Sequence, residues 1–547
     1  MDLPAEKEME SCPRPLSGKF ILKASIICIS FANLCFMSTW NELFDRHSDF
    51  FKRYSISLRQ LAAVTLDVLL LALVLWISVC LVAKSGNHTW NRILKWGALV
   101  GLLLPFDVLR FSTEARAVLA LVARQAGPVR ILLEVLGFAA GIILLWNWER
   151  LSIPVSSRIL VIFSPLLPLL VATAAWGIYN GPPAGRLPDK PPVGALPQKA
   201  GAPHVLWFIF DEWDQALTFE HRPANLQLPE LDRFRGQSFH ADRAYPPGDY
   251  TLWSIPSLLT GKVFLGADGN GGNELLMTYD RNQPQKPLRA ESTVFAEARN
   301  GGFNVGIVGF YLPYCRVFDT TSCEWYPMQT NMPVEWVHPV SLGRSMMLAA
   351  RRLVSRLPLA KRLGVRRALG EDPFSYSPSL SAATYRQVHK AALHSIDDSR
   401  LNLVFIHWNI PHPPAIYDAA KDDFSSDRAN SYLDNLKLLD RTVRDIRVTL
   451  EEADMWDAST ILMTSDHPLR FGLWRANYPD CVASLAKYTQ TSEVPFLLKM
   501  AGQKQGLAYD APIQTVVTKD LLLAIMKGEI SQPEQVGDWL DRHPPHQ

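Results

Sequence analysis

Four short stretches of this chain carry side chains that could act together on an ester. Thr251-Leu-Trp-Ser-Ile-Pro-Ser-Leu-Leu-Thr-Gly261 opens with a hydroxyl, HVLWFIFDEW ends near Asp211 and Glu212, STILMTSDHPLR carries Asp466, His467 and Arg470, and HWNIPHPPAIYD adds His407 and His412. A threonine hydroxyl is a poor nucleophile at neutral pH, and coordination to a divalent cation is one way to give it alkoxide character. Ser254, Pro256 and Ser257 read as the start of a helix whose first amides would face an incoming phosphate. Taken alone, a threonine placed like Thr251 is most often a simple helix cap, and a pair like Asp466-His467 is usually a capping or loop pair. The hydroxyl, carboxylates and imidazole together form a mixed oxygen and nitrogen set that suits zinc or manganese better than a thiolate-selective metal. A neutral imidazole at His407 or His412 could act as general acid for a leaving oxygen, or be buried and satisfied by backbone. Arg470 could grip phosphate oxygens with its planar fork, or simply be exposed.

These residues need strands to place them. Asp211-Glu212 and Asp466-His467 each follow an apolar, β-prone run, which is how a buried parallel strand reads when its C-terminal end opens into a site. VLWFIF, FNVGIVGF, LNLVFIHW, STILMTSD and VPFLLKM alternate with helical patterns. In SYLDNLKLLDRTVRDIRVTLEEA, Leu433, Leu436, Leu439, Val443 and Ile446 recur at helical spacing, so that stretch is expected to lie on a sheet face. The expected class is α/β with a mostly parallel sheet. Asp211 and Glu212 are neighbours and would point to opposite sides unless the chain turns there. Which of the two would hold a metal is therefore open.

The hydropathy is unevenly distributed along the 547 residues. Five stretches before residue 180 are long and apolar enough to cross a bilayer, at about 20–40, 60–83, 93–111, 129–148 and 159–179. Residues 1–180 are thus expected to form a helical membrane domain, and an odd number of crossings would put the N-terminus and the C-terminal domain on opposite sides. The Pro-rich stretch 181–203 is expected to be a semi-rigid spacer, and 204–547 a catalytic domain. From Arg344 to Arg367, basic residues stand among leucines, valines and methionines with no acid between them. That is the pattern of a helix on an anionic membrane surface, or of a solvated helix covering the sheet. A net charge of +2 gives no reason to expect a nucleic-acid partner. Of 7 cysteines, Cys315 and Cys323 enclose a short polar loop and could close a disulfide or remain two thiols.

The order of the four motifs resembles the alkaline phosphatase and sulfatase superfamily over roughly residues 203–502. HVLWFIFDEWD is similar to its first strand with a metal-binding acid, DYTLWSIPSLLTGK to its nucleophile turn, and TSDH to the second half of its metal site. The resemblance implies Thr251 as the nucleophile, a site for one or two divalent ions built from Asp211, Glu212, Thr251, Asp466 and His467, and His407 and His412 binding the transferred group or a second metal. Sulfatases carry Cys or Ser at the nucleophile, converted to an aldehyde hydrate, with Arg four residues on. Here Thr251 and Ile255 stand at those positions, and threonine cannot give that aldehyde.

The layout as a whole is similar to the membrane-bound phosphoethanolamine and phosphoglycerol transferases of the lipoteichoic acid synthase type. That likeness implies a multi-pass protein of a bacterial cytoplasmic membrane, with its catalytic domain on the outer side. The expected reaction moves a headgroup from a phospholipid donor through a covalent Thr251 intermediate to an envelope glycan or lipid acceptor. Two other readings remain open on the sequence: a hydrolase of phosphodiesters or sulfate esters, and a non-catalytic module in envelope polysaccharide assembly.

Overall fold

The computed structural model describes residues 16–45, 47–85, 153–181, 185–198, 201–328, 334–355, 377–426, 430–477 and 491–543, with scattered positions between 89 and 139. The chain divides into two compact units. One comprises Met1–Asp45, Ser55–Gly185 and Pro339–Asp372, and the other Arg46–Tyr54, Arg186–His338 and Pro373–Gln547.

In the first unit, three helices among the described residues are long and apolar enough to cross a membrane: Gly18–Cys35, Leu58–Ser85 and Pro154–Tyr179. The expected crossings at 93–111 and 129–148 lie almost wholly outside the described residues. The first helix stops at Cys35, short of the expected 40, and a second helix, Met37–Phe44, follows it. Small residues line the buried stripes of the long helices, with Ala32, Val64, Val68 and Ala72 in one apolar cluster. Such residues let helices approach closely where lipid removes the hydrophobic drive. The basic segment enters this same unit as the helix Leu342–Ser355, burying Ser345 and Ala349. Its Arg352 Nη1 donates to Glu42 Oε2 at 2.9 Å. The rest of that segment, including Pro358, lies outside the described residues.

The second unit is a three-layer α/β fold. Its main sheet contains, in chain order, β1 (His204–Phe210), β2 (Phe239–Tyr245), β3 (Val305–Phe310), β4 (Ser322–Tyr326), β5 (Leu403–Trp408), β6 (Ser459–Thr464), β7 (Val494–Lys499), β8 (Leu507–Tyr509) and β9 (Ile513–Gln514). The spatial order is β8-β2-β7-β6-β1-β5-β3-β4, with β9 also pairing β2. All pairings are parallel except those of β7 with β6 and β2. Strand β1 is central and buried on both faces. Val205, Trp207 and Ile209 enter one core cluster with Ile255 and Leu259, while Leu206, Phe208 and Phe210 enter another with Leu436, Leu439, Val443 and Ile446. The expected helix forms as Tyr432–Glu452, opened by a capping box between Ser431 and Asp434.

Two segments depart from the expected division of the chain. The stretch read as a spacer lies along the second unit from Arg186 onward: Lys190 N donates to the Cys315 carbonyl at 2.9 Å, Val193 N to that of Thr320 at 3.0 Å, and Leu196 N to Asn304 Oδ1 at 2.8 Å. Its prolines fall where no donor is needed, so the extended chain follows the domain surface through the amides that remain. The second departure is the segment after Arg46, which joins the first two apolar helices but belongs to the second unit. Phe50 is buried in the core facing Ile255 and Leu259, its carbonyl accepts from Arg316 Nη2 at 2.6 Å, and Phe51 stacks on Tyr311 at 5.1 Å. At Gly269 an added Cβ would lie 2.2 Å from the His47 carbonyl, which explains why no side chain stands there. In the full-length protein, Phe50→Ala is expected to destabilise the second unit by about 3–5 kcal/mol, the usual cost of deleting a buried phenylalanine ring. A thermal or denaturant unfolding curve that does not move would contradict this placement.

Candidate metal centre

The parallel pairing of β1 with β6 sets Ile209 beside Thr464. Both strands then end together, and the residues just beyond them meet. Asp211 still follows the sheet, its amide donating to the Trp408 carbonyl of β5 at 3.2 Å. At Glu212 the backbone turns into the left-handed region, with φ of 68°. This is an uncommon conformation for a residue with a side chain, costing on the order of 1–3 kcal/mol where the surroundings impose it. The surroundings do so here: Tyr432 Oη donates to the Glu212 carbonyl at 2.9 Å, Trp213 N donates to Ser465 Oγ at 2.9 Å, and Ser465 Oγ donates to the Phe210 carbonyl at 2.8 Å. The turn resolves the opposite-sides problem, because it brings both carboxylates into one cluster.

Two overlapping groups result, Asp211-Asp466-His467 and Asp211-Glu212-His412, each with its ligand atoms within 4.8 Å of one another and every residue buried. His467 Nε2 lies 3.2 Å from Asp211 Oδ1 and 3.6 Å from Asp466 Oδ2. Asp211 Oδ1, Asp466 Oδ2 and His467 Nε2 find no hydrogen-bond partner among the described residues. Orphaned buried oxygen and nitrogen atoms facing one another are expensive unless a cation satisfies them. The charge balance says the same. Burial, then the Asp466 charge, pushes the Asp211 carboxyl up to about 7. Burial pulls His467 down, but Asp466 and Asp211 outweigh it and raise the ring to about 9. The protein alone therefore leaves this cluster short of positive charge. Two carboxylates and an imidazole fit a divalent ion such as zinc or manganese.

The imidazoles are prepared for that role. His467 Nδ1 lies 3.0 Å from the Pro468 carbonyl and His412 Nδ1 lies 2.5 Å from the Pro413 carbonyl. A carbonyl only accepts, so Nδ1 carries the hydrogen and Nε2 of each neutral ring keeps its lone pair. Asn435 fastens the loop bearing His412, its Nδ2 donating to the Pro411 carbonyl at 3.2 Å and the Pro414 carbonyl at 3.0 Å. Glu212 has a different principal partner. Arg470 donates to it twice, from N to Oε1 at 2.7 Å and from Nη2 to Oε2 at 3.0 Å. Arg470 is thus neither a simple surface residue nor wholly available to a substrate; its guanidinium also lies over the Tyr250 ring at 5.5 Å.

Thr251 begins the helix Thr251–Thr260, as its sequence suggests, and is 8% exposed. One turn later Ser254 Oγ donates to the Asp466 carbonyl, which ties this helix to the end of β6. The helix closes on Gly261 at φ of 71°, where glycine avoids the Cβ penalty. His407, on β5, is fully buried, pushed down to about 4 by that burial, and held by Tyr314 Oη, 2.9 Å from its Nδ1. The metal groups do not include it. Sequence reading did not identify Tyr314, Tyr432, Ser465 or Asn435, which reach the site from distant segments. Of these only Ser465, directly before Asp466, carried a positional hint.

A protein-family model described as Sulfatase matches residues 203–527, more than half of the chain. The chain belongs to the sulfatase family. No curated protein matches it. Among solved structures, it is similar to Ps i-CgsB in complex with k-i-k-neocarrahexaose at 13% identity and a TM-score of 0.38, covering 63% of this chain and 78% of that one. The phosphonate monoester hydrolase of Agrobacterium radiobacter is similar at 12% identity and a TM-score of 0.36, covering 59% and 74%. A protein of the alkaline phosphatase superfamily from Vibrio parahaemolyticus is similar at 11% identity and a TM-score of 0.36, covering 61% and 68%.

Removing a carboxylate from the cluster should release the cation. Asp466→Ala and Asp211→Ala are each expected to weaken zinc or manganese affinity by at least about 10–100-fold, more than the loss of an orienting partner costs. Metal content after dialysis, measured by elemental mass spectrometry, checks this; retention at the wild-type level would reject the cluster as the binding site.

Proposed function

We propose that this sulfatase-family protein is a membrane-anchored, metal-dependent esterase that cleaves phosphodiesters or sulfate esters. The observation that carries the reading is the buried cluster of Asp211 Oδ1, Asp466 Oδ2 and His467 Nε2, whose strand end is joined to the Thr251 helix by the hydrogen bond from Ser254 to the Asp466 carbonyl. A divalent ion bound there supplies Lewis-acid polarisation and charge neutralisation. In this reading Thr251 Oγ gives up its proton and bonds to the phosphorus or sulfur, the bond to the ester oxygen breaks as that oxygen takes up a proton, and water then displaces the group from Thr251. The amide of Leu252, in the first turn of the helix, receives an equatorial oxygen, while that of Trp253 is held by the Tyr250 carbonyl. Glu212 and Arg470 act as a pair, the carboxylate aiming the guanidinium. His412 and His467 keep their Nε2 lone pairs turned inward, and the buried walls exclude bulk water.

Phosphate esters are the favoured branch. Threonine at the nucleophile position cannot be oxidised to the aldehyde that sulfatase chemistry uses, whereas an unmodified hydroxyl is sufficient for attack at phosphorus.

Headgroup transfer from a phospholipid is the second reading, supported by the three apolar helices and the basic helix that packs with them. It shares the attack by Thr251 and differs only in what accepts the group, water or another hydroxyl. Chain connectivity also bears on orientation. The segment between the first two apolar helices belongs to the catalytic unit, so if both helices cross the membrane it shares that unit's side and the N-terminus takes the other. An odd number of crossings follows.

Purified full-length protein supplied with zinc or manganese is expected to cleave bis(4-nitrophenyl) phosphate, and 4-nitrophenyl sulfate far less well. Chelation should abolish cleavage. Thr251→Ala should lower kcat by roughly 10⁴-fold or more, the scale for loss of a group acting directly on the reacting bond. Activity persisting in the Thr251→Ala protein would overturn the proposed nucleophile. Incubation with mixed phospholipids and a glycan or lipid acceptor separates the two branches: headgroup recovered on the acceptor favours transfer, and headgroup released free into water favours hydrolysis.

A further inference from the structure

Three histidines meet at this site, and one is held differently from the others. His467 and His412 turn Nδ1 to backbone carbonyls, which fixes them as lone-pair donors at Nε2. His407 instead turns Nδ1 to a phenol, Tyr314 Oη, at 2.9 Å, and its Nε2 meets no partner among the described residues. A phenol can donate where a carbonyl cannot. Tyr314 is fully buried, and among the described residues its hydroxyl has no hydrogen-bond partner but His407. If Nδ1 carried the hydrogen, the phenolic proton would be stranded in the core; the Phe310 backbone also interacts with the ring and opposes the lowering by burial.

We propose that Tyr314 is a positioning residue for His407. Its hydroxyl donates to Nδ1, so that Nε2 carries the hydrogen and is presented to an ester oxygen rather than to a metal ion. The inference rests on the ester-cleaving reading above and adds to it a division of labour: His412 and His467 offer lone pairs, and His407 offers a hydrogen.

The surroundings of Tyr314 are built to hold one ring position. At Gly309 an added Cβ would lie 2.4 Å from the Tyr314 ring, so the tyrosine packs directly on strand backbone. The next residue, Cys315, is bridged to Cys323. Arg316 is buried and donates to the Phe50 carbonyl at 2.6 Å, fastening the Tyr314 turn to the segment that joins the first two apolar helices. The phenyl group of Tyr314→Phe should keep this packing and lose only the hydrogen bond.

The test uses full-length protein loaded with zinc or manganese, with inorganic phosphate as the binding probe and bis(4-nitrophenyl) phosphate as the ester. Tyr314→Phe is expected to keep its metal content, bind phosphate about 10-fold more weakly, and lose about 10–100-fold in kcat with little change in KM. Tyr385→Phe removes a comparable buried phenol bond, 2.7 Å to Thr442 Oγ1, between two helices and outside both metal groups. It should lower stability without changing kcat or phosphate affinity. Wild-type kcat and phosphate affinity in Tyr314→Phe would overturn the proposal, as would loss of a bound metal ion from it. If wild-type protein binds phosphate, Tyr314→Phe binds it more weakly, and neither cleaves the ester, the esterase reading fails while the positioning role stands.

Discussion

Three carboxylates, Asp211, Glu212 and Asp466, are buried together at the ends of two adjacent parallel strands. Removing a carboxylate from water costs several kcal/mol unless opposite charge and hydrogen bonds replace the lost solvent. The local structure supplies that replacement in two ways. Glu212 receives a paired donation from Arg470, while Asp211 and Asp466 face His467 and a space suited to a cation. The left-handed turn at Glu212, the Tyr432 hydroxyl on its carbonyl and the Ser465 bridge between strand ends all serve to keep these groups converged. Their strain is tolerable because a buried central strand leaves the backbone little freedom to relax.

The catalytic unit is not a simple C-terminal block. It recruits a few residues from between the first two apolar helices, and these pack behind the Thr251 helix through Phe50 and against Tyr311 through Phe51. Arg316 has most of its charge buried; burial pulls its guanidinium down to about 10, and the Phe50 carbonyl is one of the groups that stabilise it. A catalytic fragment beginning at the Pro-rich stretch would leave that arginine without this acceptor and the core without a phenylalanine.

Membership of the sulfatase family leaves the leaving group open, because a shared fold hosts different chemistries. The choice between sulfur and phosphorus turns on one side chain. Thr251 has the methyl group that blocks conversion to an aldehyde, and it heads a helix whose Ser254 is tied to the backbone of a carboxylate in the metal cluster. Three helices long and apolar enough to cross a membrane, with a basic helix in the same unit, are the features that favour a lipid headgroup donor.

By itself the sequence determined the α/β class, the apolar helices, and the acids and histidines that end their strands. These properties are written in runs of adjacent residues: a strand buried on both faces must be continuously apolar, and a polar residue at its end must face a site or solvent. Only the tertiary structure decided which atoms meet. The side on which Glu212 falls depends on one backbone torsion, the pairing of Arg470 with Glu212 on a contact across 258 positions, and the hydrogen-bond partner of His407 on a tyrosine 93 residues away. The association of Phe50 with the catalytic core likewise follows from packing between segments that share no local pattern. Residues that hold a site from a distance leave no periodic trace, because their spacing along the chain is set by connections rather than by helix or strand geometry.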